Sequence, residues 1–158
     1  MTLVVPFDGS DLSAAALRRA AAFRTVFEKR VLAVSVIPAG NADYARERGW
    51  LGPAERYDLS DVVATLRQQV QSHCPSADFR HETVDRNSPT GTISNRLRRI
   101  AREADASMVF VGSENAGRVV RSLSSVGASV ASDDTYDVVI VRHTNPSTLV
   151  GRRDVDRE

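Results

Sequence analysis

The chain has 158 residues, 42% of them hydrophobic and 26% charged, which is the size and composition of one ordinary globular domain. Its 21 basic and 20 acidic residues leave a net charge of +1, too small to imply nucleic acid or an anionic membrane as a partner. No apolar run approaches the roughly 18 residues of a membrane span, and no basic segment precedes one at the N-terminus, so we expect a cytoplasmic protein.

The first predicted elements are a strand and a helix joined by a tight turn. Residues 3–7 form an apolar run that ends at Asp8-Gly9-Ser10, a sequence typical of turns. Ser10 or Asp11 can cap the following helix by accepting hydrogen bonds from its first amides. Apolar residues then recur at helical spacing, namely Leu12, Ala16, Ala20, Phe23 and Phe27.

A second strand is predicted over residues 31–37, where an apolar run stops at Pro38. A polar segment over residues 38–57 follows, and a loop of that length in a small domain is usually a functional lid or disordered. It contains the chain's one tryptophan, Trp50, which could fold over a ligand crevice, contact a partner or anchor the loop.

The next elements are a helix, an edge strand and another helix. Residues 79–84 alternate in polarity, as an edge strand does. Ser88 and Pro89 are predicted to open the third helix as N-cap and first-turn proline. The apolar stripe of the second helix is Leu59, Val62, Val63, Leu66 and Val70, and that of the third is Ile93, Leu97, Ile100, Ala101 and Ala104.

The last elements are a strand over residues 108–111, a helix, and a fifth strand, Val138-Val139-Ile140-Val141. The apolar stripe of this fourth helix is Val119, Leu123, Val126 and Val130. We therefore predict one domain over residues 1–142, followed by a flexible charged tail over residues 143–158.

This alternation of strands and helices predicts an α/β fold. We expect a doubly wound five-stranded parallel sheet, in the order 3-2-1-4-5, with helices on both faces. In such a sheet the ligand crevice lies beyond the carboxyl ends of the strands, where the winding reverses. The segments predicted to lie there are residues 7–10 and 111–115.

Common catalytic motifs are absent from the sequence. It contains no Walker A, GxGxxG, GxSxG or HExxH pattern, and its three histidines lack metal-ligand spacing. The single cysteine, Cys74, excludes a disulfide framework and a multi-cysteine metal site. We therefore expect no metal site and no enzyme, apart from slow, incidental ATP hydrolysis.

Three stretches of the sequence together resemble one known family. They are LVVPFDGSDLSAAAL at residues 3–17, the RNSP turn at residues 86–89, and MVFVGS at residues 108–113, followed by a helix and VVIVR. In this order they resemble universal stress proteins over residues 2–142. The resemblance implies a binding and signalling protein that acts in stress survival.

The family members that bind ATP carry a G-x2-G-x9-G-[ST] loop after the fourth strand, whose backbone amides approach the phosphates. Gly112 matches the first glycine. Gly117 and Gly127 could be the others, but Ala128 then replaces the hydroxyl residue. In the alignment that we prefer, Asn115 and Ser124 replace the second and third glycines, and Ser125 supplies the hydroxyl. Because either alignment loses part of the motif, we expect weak nucleotide binding or none.

The resemblance implies roles for individual residues. Asp8 matches an aspartate that contacts adenosine, although an aspartate also favours a turn here. Val36 lies where the family's second strand offers its backbone to adenine, although a core valine is the more common role for such a residue. Ser125 could donate to a phosphate or cap a helix. The candidate nucleotide-binding residues are Pro6, Phe7, Asp8, Val36, Val111, Gly112, Ser113, Asn115, Ser124, Ser125 and Val126.

Three functions remain open. The first is a protein that responds to an adenine nucleotide, ATP or AMP, with Mg²⁺ if the ligand is ATP. The second is a partner-binding homodimer without nucleotide, joined through Val138-Val139-Ile140-Val141; the partner protein is unknown. The third is an enzyme of the adenine-binding α/β superfamily, which is disfavoured because the SGGxDS-like loop of those enzymes is absent after the first strand.

Overall fold

A computed structural model of the chain describes residues 2–119 and 136–144. Its strands are β1 (Thr2–Pro6), β2 (Arg30–Pro38), β3 (Asp78–Val84), β4 (Ala106–Gly112) and β5 (Asp137–Val141). Its helices are α1 (Asp11–Phe27), α2 (Ala42–Glu47), α3 (Leu59–His73) and α4 (Thr90–Glu103), with a 3₁₀ helix at Ser113–Arg118.

The described strands form one all-parallel sheet in the order β3-β2-β1-β4-β5, as predicted. Helices α1 and α3 pack on one face and α4 packs on the other, so helices on both faces are also confirmed. The predicted fourth helix lies outside the described residues, except for Val119.

The central strands are buried on both sides, which explains their continuous apolar runs. Along β1, Leu3 and Val5 enter the core beneath α1 and α3, whereas Val4 enters the core beneath α4. Phe110 of β4 is fully buried and meets Phe23 of α1 edge-on, with ring centroids 5.0 Å apart. The sheet order thus places the ends of β1 and β4 side by side, where the winding reverses.

The first helix matches the predicted stripe at Ala16 and Ala20, which are buried, and at Phe23, which packs against the core, but not at Leu12 and Phe27. Its buried residues are Ser13, Ala14, Ala15, Ala16, Leu17 and Ala20. Leu12 is only half-buried and Phe27 is 56% exposed. The small residues Ser13, Ala14, Ala15, Ala16 and Ala20 let the helix lie close to the sheet, so the face that carries them is buried in place of the face with Leu12 and Phe27. Ser10 is the N-cap, as one of the two predicted alternatives had it.

The prediction for the start of α4 is wrong by one residue. Pro89, not Ser88, occupies the N-cap, and no side chain caps this helix. Proline carries no amide hydrogen, so it suits the beginning of a helix, where amides lack partners within the helix.

The edge strand β3 is joined to α4 through the partly buried carboxylate of Glu82. The Glu82 side chain, 16% exposed, accepts hydrogen bonds from Arg80 at 2.6 Å, from Arg96 at 3.0 Å and from Arg99 at 2.9 Å. Burial works to raise the pKa of Glu82, but the bonds from Arg80 and Arg96 and the charge of Arg99 lower it below its ordinary value. Most of the arginine-rich side of α4 is therefore used structurally.

Replacing Glu82 with glutamine should lower the free energy of unfolding by about 1–2 kcal/mol near neutral pH, because three half-exposed arginines lose their shared counter-charge. Since folding lowers this pKa, the stabilisation is present above the pKa of the unfolded chain. It is lost as the pH falls through the folded-state pKa. Denaturant unfolding should show that the difference between wild type and Glu82→Gln shrinks in acid.

Glu103→Gln is the matched control, since Glu103 belongs to the same network but is 49% exposed, and its loss should cost less. An equal loss for both variants, or a Glu82→Gln effect independent of pH, would contradict this account of the network.

Candidate functional site

A cleft lies at the carboxyl ends of the strands, where the sequence predicted a ligand crevice. Its floor comes from the end of β1 and from β2, one wall comes from α4, and the 3₁₀ helix after β4 forms another wall. The lining residues are Pro6, Phe7, Asp8, Val34, Val36, Tyr44, Ile93, Leu97, Asn115 and Arg118. The cleft is thus mainly apolar, with one carboxylate, one carboxamide and one guanidinium at its rim.

Asp8 is the acidic residue of this cleft. One carboxylate oxygen accepts the backbone amide of Ser10 at 3.0 Å, and the other accepts the carboxamide of Asn115 at 3.0 Å. Burial would raise the pKa of Asp8, but hydrogen bonds from Ser10, Asn115 and Ser13 lower it below its ordinary value. Asp8 is therefore ionised at neutral pH and fixed in orientation, as an acceptor for a polar ligand must be.

The turn after Asp8 requires glycine. Gly9 has a φ of +81°, and a Cβ there would lie 2.9 Å from the Oε1 of Gln69 and 3.2 Å from the Nε1 of Trp50. Because of the positive φ and the close approach, any residue with a Cβ would be strained at this position. The Asp8-Gly9-Ser10 turn thus packs directly against α3 and against the segment of residues 38–57.

That segment is ordered and contains α2. Asn41 caps α2 by accepting the amide of Tyr44 at 3.0 Å, and it donates to the backbone oxygen of Arg86 at 2.9 Å. Trp50 is 5% exposed, and its indole donates to the backbone oxygen of Asp8 at 2.7 Å. Of the three alternatives for Trp50, the structure shows that this residue anchors the loop. The residue to which it is anchored is Asp8, which lines the cleft.

Tyr44 extends this segment into the cleft. Its ring lines the cleft, the Arg48 guanidinium lies 3.4 Å from the ring centroid, and the Trp50 ring lies 5.6 Å away. Tyr44 thus adds an aromatic ring to a lining that also contains the apolar residues Ile93 and Leu97.

The backbone of Phe7 is already engaged. Its amide donates to Val34 at 2.7 Å, and its carbonyl accepts the hydroxyl of buried Ser35 at 2.6 Å. Its side chain is 3% exposed. Phe7 therefore supports the site by extending the sheet toward Asp8.

The segment after β4 brings only some of its predicted residues to the cleft. Gly112 lies against α1, where a Cβ would be 2.8 Å from that of Leu12, so its lack of a side chain serves packing. Val111 is buried in β4 and Ser113 is exposed, and neither lines the cleft. Asn115 does line it, in contact with Asp8. Ser124, Ser125 and Val126 lie outside the described residues.

Within residues 2–119 and 136–144, no three histidine, cysteine or acidic side chains lie close enough together to hold a metal ion. None of the helices in these ranges has the length and apolar character needed to cross a membrane.

The model of the universal stress protein family matches residues 1–142. The chain belongs to this family. A universal stress protein crystallised in complex with cAMP has a TM-score of 0.54 and 24% identity, over 91% of this chain and 97% of that chain. A universal stress protein from Archaeoglobus fulgidus has a TM-score of 0.50 and 21% identity, over 90% and 93% of the two chains. No curated protein sequence matches the chain significantly.

In this universal stress protein, sequence reasoning placed Pro6, Phe7, Asp8, Val36 and Asn115 in one cleft, and the structure brings them together. It did not assign Tyr44, Ile93 or Leu97 to the site. A sequence signal did exist for the short helix that carries Tyr44: Asn41, three residues earlier, is a residue that favours helix N-caps. For Ile93 and Leu97 the sequence predicted only a place in the core, because the apolar stripe of α4 that packs on the sheet is the same stripe that lines the cleft.

Trp50→Phe should lower the free energy of unfolding by at least about 1 kcal/mol, because the carbonyl of Asp8 loses its indole donor and the smaller ring fills less of the buried space. Unfolding followed by circular dichroism measures this change. Tyr57→Phe is the control, since the Tyr57 hydroxyl is buried with no hydrogen-bond partner in the described structure, and its removal should not destabilise. Equal stability of Trp50→Phe and wild type would show that the indole bond contributes nothing.

Proposed function

We propose that this universal stress protein binds an adenine nucleoside or nucleotide weakly in the cleft at Asp8, and acts in the stress response by binding, not by catalysis. The observation that carries the proposal is the ionised Asp8 carboxylate, oriented by Ser10 and Asn115 at the rim of an otherwise apolar cleft. A binding pocket of this type, mainly apolar with a few fixed polar groups, is typical of small-molecule sites.

Adenosine fits the chemistry of this arrangement. Its flat ring can pack against the apolar and aromatic residues that line the cleft, namely Val36, Tyr44, Ile93 and Leu97. Its ribose hydroxyls or its amine can donate to Asp8, whose carboxylate has four lone-pair directions and uses only part of them for Ser10 and Asn115.

Two features predict low affinity for ATP. Asn115 stands where the nucleotide-binding family members have a glycine whose backbone approaches the phosphates. Glu114, exposed beside Asn115, places a negative charge near the expected path of the phosphates. The ligands to compare are adenosine, AMP, ATP with Mg²⁺, and cAMP; cAMP is included because one structural neighbour was crystallised with it.

Asp8→Asn should weaken adenosine binding by roughly 10- to 100-fold, since a charged acceptor contributes about 1.5–3 kcal/mol. Asparagine can still accept the amide of Ser10, so the turn and the melting temperature should change little. Calorimetric titration measures the binding. Asp61→Asn, an exposed first-turn residue of α3, is the control and should bind normally.

The proposal fails if wild-type protein binds no adenine compound at millimolar concentration. If Asp8→Asn binds adenosine normally but melts much earlier, Asp8 is a turn residue and not a ligand contact.

A second candidate function, homodimerisation for partner binding, is favoured by β5. Among the described strands, β5 pairs only with β4, and Ile140 is 40% exposed. Residues 138–141 carry no charge, whereas the opposite edge strand, β3, carries Arg80 and Glu82. An uncharged apolar edge favours pairing with another strand, and two-fold pairing of identical strands closes both edges.

Wild-type protein at micromolar concentration should therefore sediment at about twice the chain mass. Ile140→Lys should shift it toward monomer, because a charge on the pairing edge must be desolvated. Val26→Lys is the control, since Val26 is 73% exposed on α1, and this variant should remain dimeric. A monomeric wild type would contradict the proposed pairing.

A further inference from the structure

Arg118 lines the cleft together with Asp8 but is not paired with it. It is the last residue of the 3₁₀ helix after β4, and its side chain is half-buried. No ion pair joins its guanidinium to a carboxylate within residues 2–119 and 136–144. By contrast, Arg80, Arg96 and Arg99 all bond to Glu82.

The backbone around Arg118 is held in place. The carbonyl of Arg118 accepts the guanidinium of Arg98 at 3.4 Å, and the carbonyl of Val119 accepts the hydroxyl of Tyr136 at 2.7 Å. Val119 itself is 1% exposed. These bonds fix the backbone at the position from which Arg118 lines the cleft.

The charges around the cleft limit how much anion it can take. One guanidinium offers one planar fork, which matches a single phosphate or carboxylate with two parallel hydrogen bonds. Asp8 inside the cleft and Glu114 beside it would repel further phosphates.

From this arrangement we infer that Arg118 pairs with one terminal phosphate, so that the site selects nucleoside monophosphates over both free nucleosides and triphosphates. The inference rests on the proposed adenine site and adds the residue that reads the phosphate.

The test is a titration of the full chain with adenosine, AMP and ATP, followed by calorimetry and by the emission of the single tryptophan, Trp50, which touches the site. AMP should bind wild type about ten-fold more tightly than adenosine, the contribution of one charge-assisted pair. ATP should bind no more tightly than AMP. Added salt should weaken AMP binding but not adenosine binding.

In Arg118→Gln the advantage of AMP over adenosine should disappear, and Arg118→Lys should restore only part of it, because lysine lacks the planar fork. Arg24→Gln removes the same charge from an exposed position in the last turn of α1 and should keep the wild-type preference.

Equal affinity of wild type for adenosine and AMP, or tighter binding of ATP than of AMP, would overturn the inference and leave the adenine site standing. So would a preference for AMP that survives in Arg118→Gln. If neither adenosine nor any nucleotide binds, the proposed function itself fails, and this inference fails with it. The comparison of ligands on wild type decides the matter even if a variant does not fold.

Discussion

The half-buried, ionised carboxylate of Asp8 is the constraint on which the site depends. A charge at that depth is tolerated only when hydrogen bonds replace its lost water. Three separate parts of the chain meet this need or pack around it: the turn at Ser10, the 3₁₀ helix through Asn115, and the segment of residues 38–57 through Trp50. The same contacts that satisfy Asp8 therefore assemble the cleft.

The parallel sheet makes this convergence possible. Strands β1 and β4 are neighbours, so the turn after one and the 3₁₀ helix after the other emerge side by side. Gly9 and Gly112 allow those connections to pack closely against α3 and α1. A side chain at either position would push the connecting segments apart, and Asn115 would lose its contact with Asp8.

The sheet order and the crevice could be predicted because they follow from local patterns. Apolar runs alternate with helical stripes, and Asp8-Gly9-Ser10 is a turn signal within a few residues of sequence. The contact between Asn115 and Asp8 joins positions 107 residues apart, and no local pattern encodes such a pairing. The sequence predicted a loop over residues 38–57 because the segment has no apolar periodicity of its own. It is held in place by tertiary contacts of Tyr44 and Trp50, which a local pattern does not show. The predicted start of α4 differs from the observed start by one residue, because helix ends are less sharply specified by local sequence than helix interiors.

Nuclear magnetic resonance titration of the labelled protein with adenosine tests the central claim most directly, because the single Trp50 indole hydrogen reports on the Asp8 carbonyl. The account predicts that the largest shifts fall on the Trp50 indole, on the amides of residues 8–10 and on the Asn115 side chain. Resonances of β3 and of the far end of α1 should stay in place. Saturable shifts confined to another surface, with the indole and residues 8–10 unmoved, would contradict it.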